Sequence, residues 1–192
     1  MVKPEDMPRF IGHIRTEAQR LVALIADIIR LSQLDEGVEM PKENVELLSL
    51  AGEVAEDLRA AADKASVTIT TDGQSSIVFG VRRLLYEMLY NLCDNAIKYN
   101  RPGGSIRIHV ENREQEAAIS VLDTGIGIAP EHQSRIFERF YRVDKSHSKA
   151  SGGTGLGLSI VKHAAMYHGG KVALESEPGR GTEIRVTLPK EH

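Results

Sequence analysis

The chain has 192 residues, of which 41% are apolar, so it can form one domain with an appendage or two small domains, and global disorder is excluded. Its formal net charge of -3 gives no basic surplus that would indicate binding to nucleic acid or to anionic lipid. No apolar run approaches the ~20 residues of a membrane-spanning helix, and the acidic start is unlike a signal peptide. The single cysteine, Cys93, excludes an internal disulfide, which fits a cytoplasmic protein.

The first predicted element is a helix over residues 9–35. Its apolar residues recur at steps of three and four and form one stripe, which consists of Ile11, Ile14, Ala18, Leu21, Ile25 and Ile28. A single amphipathic helix cannot bury such a stripe, so we expect it to pack in a helical bundle with a second copy of the chain. We assign residues 1–36 to this helix, 37–44 to a linker and 45–192 to a folded domain.

Short strands and helices alternate through the rest of the chain. They are, in order, a strand at 45–47, a helix at 50–64, strands at 67–71 and 76–79 with a turn at Asp72-Gly73 between them, a helix at 81–99, strands at 105–110 and 117–122, a short helix at 131–138, a helix at 156–168, and strands at 171–176 and 182–188. This order predicts an α+β fold, a two-layer α/β sandwich whose mixed, mostly antiparallel sheet has helices on one face. The polar, glycine-containing residues 142–153 bury little and predict a lid that becomes ordered when ligand binds.

Two glycine-containing motifs lie at the ends of predicted elements. D-T-G-I-G-I (123–128) follows a strand, and its glycines permit positive φ and close approach of the backbone. The carboxylate of Asp123 can accept a hydrogen bond from an exocyclic amine such as that of adenine, although this motif alone is equally typical of an ordinary turn. G-G-T-G-L-G-L-S-I (152–160) opens a helix, where free N–H groups and a partial positive charge suit phosphate oxygens.

Asn91 and Asn95 are one helical turn apart, so their side chains share a face. Their two carbonyl oxygens can bind one magnesium ion together with the phosphates of a nucleotide. Lys98 can reach a phosphate, and Tyr99 can cover a base or a ribose. Because apolar residues separate the asparagines, this face is predicted to line a cavity, and the intervening Cys93 is interpreted as a small buried apolar residue.

Four segments in a fixed order resemble the nucleotide-binding boxes of the sensor histidine kinases of two-component systems, particularly those of the phosphate-regulon type. They read N-L-C-D-N-A-I-K-Y, D-T-G-I-G-I, F-E-R-F-Y-R and G-G-T-G-L-G-L-S-I. Those kinases share the Bergerat-type ATP-binding fold with gyrase, MutL and a heat-shock chaperone. The resemblance covers about residues 45–189, and four boxes in order are specific although each alone is a weak signal.

The resemblance implies a role for each matching residue. The residues implied in ATP binding are Asn91, Asn95, Lys98, Tyr99, Asp123, Gly125, Gly127, Ile128, Phe137, Phe140, Gly153, Thr154, Gly155, Leu156 and Gly157. Those implied in catalysis are Asn91, Lys98, Arg139 and Arg142. Among them, Asn91 and Asn95 would hold Mg²⁺, and Asp123 would accept the adenine amine. The glycines of the last box would hold the phosphates, Phe137 and Phe140 would anchor the lid, and one of the two arginines would assist at the γ-phosphate.

Phosphoryl transfer is favoured over hydrolysis by the residue at position 91. In hydrolysing relatives of the fold, a glutamate that activates water stands where this chain has Asn91, and an amide cannot act as a base. The resemblance therefore implies an ATP-dependent protein histidine kinase. Its implied partners are a second protomer, through the N-terminal helix, and the receiver domain of a response regulator. Membrane attachment would come only from other parts of a parent protein.

Residues 9–36 resemble the second helix of the kinase dimerisation hairpin, and the first helix, which carries the phospho-accepting histidine, is not expected in this chain. His13 partly matches the acceptor box, but Ile14 replaces the acidic residue of that box and Glu17-Ala18 replace its proline. We interpret His13 as a non-acceptor. The sequence therefore predicts Mg-ATP binding without autophosphorylation of this chain.

Three alternatives remain open at the level of sequence. The first is a serine kinase of the anti-sigma-factor type, which uses the same ATP fold. The second is a non-catalytic module that binds nucleotide in order to dock a partner, and the third is a hydrolysing ATPase. The helix at 9–35 and the continuous F-E-R-F-Y-R segment favour the histidine kinase.

Overall fold

A computed structural model describes residues 7–36, 39–143 and 154–190. The helices are α1 (Met7–Asp35), α2 (Leu47–Asp57), α3 (Arg59–Ala65), α4 (Arg82–Lys98), α5 (Pro130–Gln133) and α6 (Gly157–Tyr167). The strands are β1 (Glu43–Glu46), β2 (Thr68–Gly73), β3 (Ile77–Gly80), β4 (Ser105–Asn112), β5 (Glu116–Asp123), β6 (Lys171–Glu177) and β7 (Gly181–Pro189). Among the described helices, none has the length and apolar character needed to cross a membrane.

One layer of the domain is a five-stranded sheet with the strand order β2-β4-β5-β7-β6. The pairing of β2 with β4 is parallel, and the other pairings in this sheet are antiparallel. Strands β1 and β3 form a separate antiparallel pair. This arrangement confirms the predicted two-layer sandwich with a mixed, mostly antiparallel sheet.

Alternation along β4 shows why the helices cover only one face of the sheet. Ile106, Ile108 and Val110 are fully buried beneath the helices, whereas Arg107 and His109 point to the opposite face and contact Asp72 of β2. Burying an aliphatic side chain stabilises the fold by about 1.5–3 kcal/mol, so this face fixes the register of the strand. The polar face needs no cover.

Helix α4 lies across the buried face of the sheet. Its inward residues Leu85, Leu89 and Cys93 are fully buried, and its Asn91 and Asn95 are half-buried at the edge of the core. The buried side of α4 therefore fixes the direction in which the two asparagines point. Truncation of a fully buried leucine such as Leu89 to alanine is expected to cost about 2–5 kcal/mol.

Two predicted elements differ from the structure in the first half of the domain. The predicted turn at Asp72-Gly73 is wrong, because β2 continues through Gly73, which pairs with Val110 at a φ of +122°. The predicted helix at 50–64 begins earlier and is divided at Leu58. It begins early because the Glu46 carboxylate accepts the N–H groups of residues 48 and 49 and caps the helix.

The predicted helix at 131–138 is shorter than expected, because only Pro130–Gln133 is helical. Beyond it the chain forms a series of turns in which the N–H of Glu138 donates to the carbonyl of Arg135. The side chain of Gln133 bonds away from the helix, to the carbonyls of Ile128 and Ser176. The end of this short helix is therefore held by contacts to the loop after β5 and to β6.

The apolar stripe of α1 stays largely uncovered in a single chain. Ile11, Leu21 and Ile25 are more than half exposed, at 59%, 52% and 57%. Near the end of the helix, Leu31 is buried in a small separate cluster with Leu156 and Ile160, at the start of α6. The side chain of His13 lies outside the described residues, so its predicted status as a non-acceptor remains a prediction.

Candidate active site

A cavity of about 820 Å³ opens between α4, the ends of β5 and β7, and the start of α6. Its lining includes most of the residues that the sequence predicted for a nucleotide site, namely Asn91, Asn95, Lys98, Tyr99, Asp123, Gly127, Ile128, Arg142, Thr154, Gly155 and Gly157. Three separate stretches of chain therefore meet at one concave surface. A volume of this size is typical of a small-molecule site.

The other predicted residues lie beside the cavity. Leu156 is fully buried and packs with Leu31 of α1, and the Arg139 guanidinium lies 3.0 Å from His163 Nε2 on α6. Phe140 is 58% exposed, and its N–H donates to the carbonyl of Gly155. Gly125, Phe137, Arg139, Phe140 and Leu156 are not part of the lining, and Gly153 and most of the predicted lid fall outside the described residues. Their predicted roles in binding remain predictions.

The asparagine face of α4 meets the start of α6 across Gly157. The side-chain amide of Asn91 donates to the carbonyl of Glu87 at 2.8 Å. A Cβ at Gly157 would lie 2.8 Å from the side-chain oxygen of Asn91 and 3.7 Å from the side-chain nitrogen of Asn95. Glycine therefore allows the helix N-terminus to approach both asparagines. This close approach brings two amide side chains and a helix N-terminus to the same cavity wall.

Lys98 is held by Asp94, a cavity residue that the sequence analysis missed. Its ammonium lies 2.5 Å from the Asp94 carboxylate, one turn earlier on α4. Such partly exposed pairs contribute only about 0.3–0.5 kcal/mol to stability. Lys98 can therefore exchange this carboxylate for another anion at little cost.

The Asp123 wall (residues 123–129) forms one side of the cavity. The N–H of Gly125 donates to the Asp123 carboxylate at 2.7 Å. Burial raises the pKa of Asp123 above its ordinary value, and hydrogen bonds from the backbone of Gly125 and Thr182 act in the opposite direction. An acceptor in partly desolvated surroundings is thus presented at the end of β5.

Backbone groups throughout the Asp123 wall are bonded to other segments. Ile126 donates its N–H to the carbonyl of Tyr99 at 3.0 Å. The peptide groups of Ile128 bond at 2.9 Å to the hydroxyl of Ser176 and at 2.8 Å to the amide of Gln133. These contacts fix the shape of the wall from within the domain.

Glycine is required at two positions of this wall. Gly127 has a φ of +68°, and a Cβ there would lie 2.1 Å from the carbonyl oxygen of Glu177. A Cβ at Gly125 would lie 2.4 Å from the carbonyl oxygen of Tyr99. The G-x-G spacing thus lets the wall pack directly against two other stretches of backbone.

The α6 edge (residues 154–157) forms the opposite side of the cavity. Thr154 donates its hydroxyl to the Asp27 carboxylate of α1 at 3.0 Å and accepts the N–H of Leu156 at 3.3 Å. Gly155 adopts a φ of +76° immediately before the helix. The exposed N–H groups at a helix N-terminus favour an anion. This edge, unlike the opposite wall, is attached to α1.

The cavity has further lining residues that the sequence analysis did not single out. They are Leu92, Asp94, Ala96, Val121, Ile126, Ala129, Ile136, Tyr141, Val143, Leu158, Thr182 and Ile184. Tyr141 belongs to the F-E-R-F-Y-R segment, so that motif contained the signal. Thr182 lies opposite Asp123 because the two are paired between β5 and β7, and this register is not visible in the sequence.

Cys93 does not take part in the site. It is fully buried, and burial raises the pKa of its thiol, so the side chain is an unreactive apolar residue, as predicted. Within the part of the chain that the structure describes, no cluster of three or more His, Cys, Asp or Glu residues is arranged to hold a metal ion.

The fold and the cavity are typical of a domain that binds a small molecule, and comparison with known proteins gives the family. Residues 80–192 match the family described as histidine kinase-, DNA gyrase B-, and HSP90-like ATPase. The chain belongs to this family. That membership confirms the predicted Bergerat-type ATP-binding fold.

Curated relatives of the chain are named as sensor histidine kinases. The chain is 40% identical over 189 residues to the sensor-like histidine kinase SenX3 of Mycolicibacterium smegmatis. The match covers 97% of this chain and 49% of that relative. It is 38% identical over 181 residues to the sensor histidine kinase RppB of Synechocystis. This match covers 92% of the chain and 39% of the relative. The chain thus spans about half the length of these relatives or less.

Solved structures show the same relationship. Full-length ShkA in complex with AMPPNP matches with a TM-score of 0.83 at 26% identity, over 98% of this chain and 40% of that one. The histidine kinase ThkA in complex with the response regulator TrrA matches with a TM-score of 0.76 at 26% identity, over 99% of this chain and 53% of that one. The predicted resemblance to the catalytic domain of sensor histidine kinases is confirmed.

Proposed function

We propose that this chain is the ATP-binding catalytic part of a sensor histidine kinase, which transfers the γ-phosphoryl group of Mg-ATP to a histidine in two-component signalling. One observation carries this proposal: the asparagine face of α4, the Asp123 wall and the α6 edge line a single cavity. The names of the relatives support the same activity.

Recognition of the base is assigned to the Asp123 wall. The Asp123 carboxylate is an acceptor at the end of β5, and adenine presents an exocyclic amine as a donor. Tyr99 also lines the cavity, and its carbonyl accepts the N–H of Ile126 in this wall, so its ring can cover the base or the ribose. Guanine presents a carbonyl in place of that amine, so the carboxylate favours adenine.

Binding of the phosphates is assigned to α4 and α6. The side-chain oxygen of Asn91 faces the start of α6, which fits a shared role of Asn91 and Asn95 in holding Mg²⁺. When bound, the ion neutralises charge on the phosphates. The N–H groups at the start of α6 suit the phosphate oxygens, and Lys98 and Arg142 supply positive charge at the cavity wall.

Asn91 disfavours transfer of the phosphoryl group to water. The amide of Asn91 cannot accept a proton from water, so the cavity side of α4 supplies no base at that position. In the proposed step, the bond between the γ-phosphorus and its bridging oxygen breaks, and ADP leaves. A bond forms from that phosphorus to a ring nitrogen of the acceptor histidine, and the ring then releases its N–H proton to solvent water.

Two partners follow from the same assignment. The uncovered apolar stripe of α1 fits a second kinase protomer, because the described part of one chain does not cover it. The receiver domain of a response regulator would accept the phosphoryl group in turn, and the relative ThkA is described in complex with such a regulator. We propose that this part of the kinase acts in the cytoplasm.

Titration of the chain with a non-hydrolysable ATP analogue and Mg²⁺ by calorimetry tests the proposal. We expect saturable heat for the wild type and a strong loss for Asn91→Ala. Asn44→Ala is the matched control, because Asn44 is an exposed residue of β1 outside the cavity. Absence of binding by the wild type would refute the assignment.

A second assay separates kinase from ATPase. The chain is mixed with labelled ATP and a separate dimerisation hairpin that carries its acceptor histidine. We expect label on the hairpin in an acid-labile form and little release of free phosphate. Labelling of this chain in the absence of the hairpin would contradict the interpretation of His13 as a non-acceptor. Steady phosphate release that persists in Asn91→Ala would favour a hydrolysing enzyme.

A further inference from the structure

Arg101 occupies a position that the activity described above does not use. It lies in the loop after α4, and its guanidinium does not line the nucleotide cavity. One guanidinium nitrogen, Nη2, donates to the carbonyl of Gly125 at 3.1 Å and to the carbonyl of Gly179 at 2.5 Å. Arg101 therefore joins two loops that are distant in the sequence.

Both loops are tied to the surroundings of Asp123. The carbonyl of Gly125 belongs to the residue whose N–H holds the Asp123 carboxylate. The N–H of Gly179, in the turn between β6 and β7, donates to the carbonyl of Ile126 at 2.8 Å. Arg101 thus closes a ring of hydrogen bonds through the Asp123 wall and the β6–β7 turn.

An arginine suits this position for physical reasons. The guanidinium of an arginine is rigid and planar, and it can donate to more than one acceptor. Hydrogen bonds from a charged donor to carbonyl oxygens are stronger than neutral ones. A smaller neutral side chain would leave both carbonyls without this shared donor.

We propose that Arg101 is a positioning residue for base recognition, which holds the Asp123 wall in the orientation that selects adenine. It acts through Gly125 and Gly179 and does not touch the nucleotide. The proposal rests on the assigned function of the cavity. It extends that function to a residue outside the nucleotide-binding boxes.

The experiment measures affinities for Mg-ATP and Mg-GTP by calorimetry in the wild type, Arg101→Ala and Arg101→Lys. Arg180→Ala is the matched control, because it removes an equal charge from the same β6–β7 turn, where the Arg180 side chain pairs with the exposed Glu177. Thermal unfolding of each variant shows whether the fold is intact. Amide hydrogen exchange of residues 125–128 reports on the wall itself.

For Arg101→Ala we expect ATP affinity to fall by about tenfold and the ratio of ATP to GTP affinity to fall with it. Exchange at residues 125–128 should rise, Arg101→Lys should restore part of the ATP preference, and Arg180→Ala should match the wild type. If Arg101→Ala does not fold, Arg101→Lys supplies the same comparison.

Two results would overturn the inference. The first is a folded Arg101 variant whose ratio of ATP to GTP affinity equals that of the wild type. An equal loss of affinity for both nucleotides is such a case, and it would indicate a purely structural role. The other is an equal effect of Arg180→Ala, which would indicate a general effect of charge. Failure of the wild type to bind any adenine nucleotide would instead refute the assigned function, so the two failures are distinguishable.

Discussion

The two sides of the cavity are built in different ways. The Asp123 wall is held by bonds from within its own domain, as when Ser176 and Gln133 bond to the peptide groups of Ile128. The α6 edge is held in part from outside, because Thr154 bonds to Asp27 of α1. Recognition of the base is therefore built into the domain, whereas the geometry on the phosphate side also depends on where α1 lies.

The largest expected effect comes from a side chain forced into the Asp123 wall. In Gly127→Ala, the new Cβ would lie 2.1 Å from the carbonyl oxygen of Glu177 at a φ of +68°. We expect the free energy of unfolding to fall by about 3 kcal/mol and nucleotide binding to be lost. Chemical denaturation and calorimetry measure the two effects.

Gly103→Ala is the matched control for that variant. Gly103 has a similar φ of +80°, but a Cβ there would meet nothing within 4 Å. Only the backbone cost of about 1 kcal/mol should appear, with binding retained. Equal effects of the two substitutions would show that the close packing of the wall is unimportant.

Asp123→Asn should separate binding from stability. Burial raises the pKa of Asp123, so the ionised carboxylate disfavours the folded state. This cost is absent below the unfolded pKa, grows as the pH rises from the unfolded to the folded pKa, and is complete above the folded pKa. We expect the variant to be as stable as the wild type or more stable at neutral pH, while ATP affinity falls at least about tenfold.

The pH dependence of binding gives a second test of Asp123. Protonation removes acceptor capacity, so wild-type ATP affinity should fall as the pH decreases toward the raised pKa. Asp123→Asn should lack that component, and Asp63→Asn, at an exposed position of α3, should retain it. Calorimetry from neutral to mildly acidic pH measures the difference, and parallel profiles for Asp123→Asn and the wild type would contradict the assigned role.

At the α6 edge, Gly157→Ala should weaken binding without weakening the fold. Its Cβ would lie 2.8 Å from the side-chain oxygen of Asn91, which must move. Since alanine favours a helix, we expect unchanged or higher stability together with a loss of about tenfold in ATP affinity. Gly52→Ala in α2, where a Cβ meets nothing within 4 Å, should raise stability by about 0.5–1 kcal/mol and leave binding unchanged.

The smallest effect is expected at the contact between α1 and the α6 edge. Asp27→Ala removes the acceptor of the Thr154 hydroxyl, which should cost about 1 kcal/mol and speed amide exchange at residues 154–157. Asp27→Asn retains an acceptor oxygen and is the control. Identical exchange in Asp27→Ala and the wild type would show that α1 does not hold this edge.

Local patterns predicted most of the fold and much of the site. The alternation of Ile106, Ile108 and Val110 with polar residues identified β4 and its buried face, because the side-chain period of a strand is two. The spacing of Asn91 and Asn95 placed both side chains on the cavity side of α4. These features depend on neighbours in the sequence, which is why the sequence contains them.

Features that depend on distant pairing could not be predicted. The register that sets Thr182 opposite Asp123 and the reach of Arg101 to the carbonyl of Gly179 are products of tertiary packing. The extension of β2 through Gly73 is another case, because its pairing with β4 outweighs the local turn preference of Asp-Gly. The motifs located the cavity, and the contacts that shape it required the folded chain.

The C-terminal end of helix α6 also contacts the segment that follows α1. The Tyr167 hydroxyl accepts the N–H of Met40 at 3.0 Å, and the Lys42 ammonium lies 5.7 Å from the centre of the Tyr167 ring. Residues 40–42 are consequently held against the catalytic domain by these contacts. In a chimaeric kinase that contains this domain, the fusion point should therefore lie upstream of Met40. Residues 40–42 and helix α6, which they contact, are then transferred together.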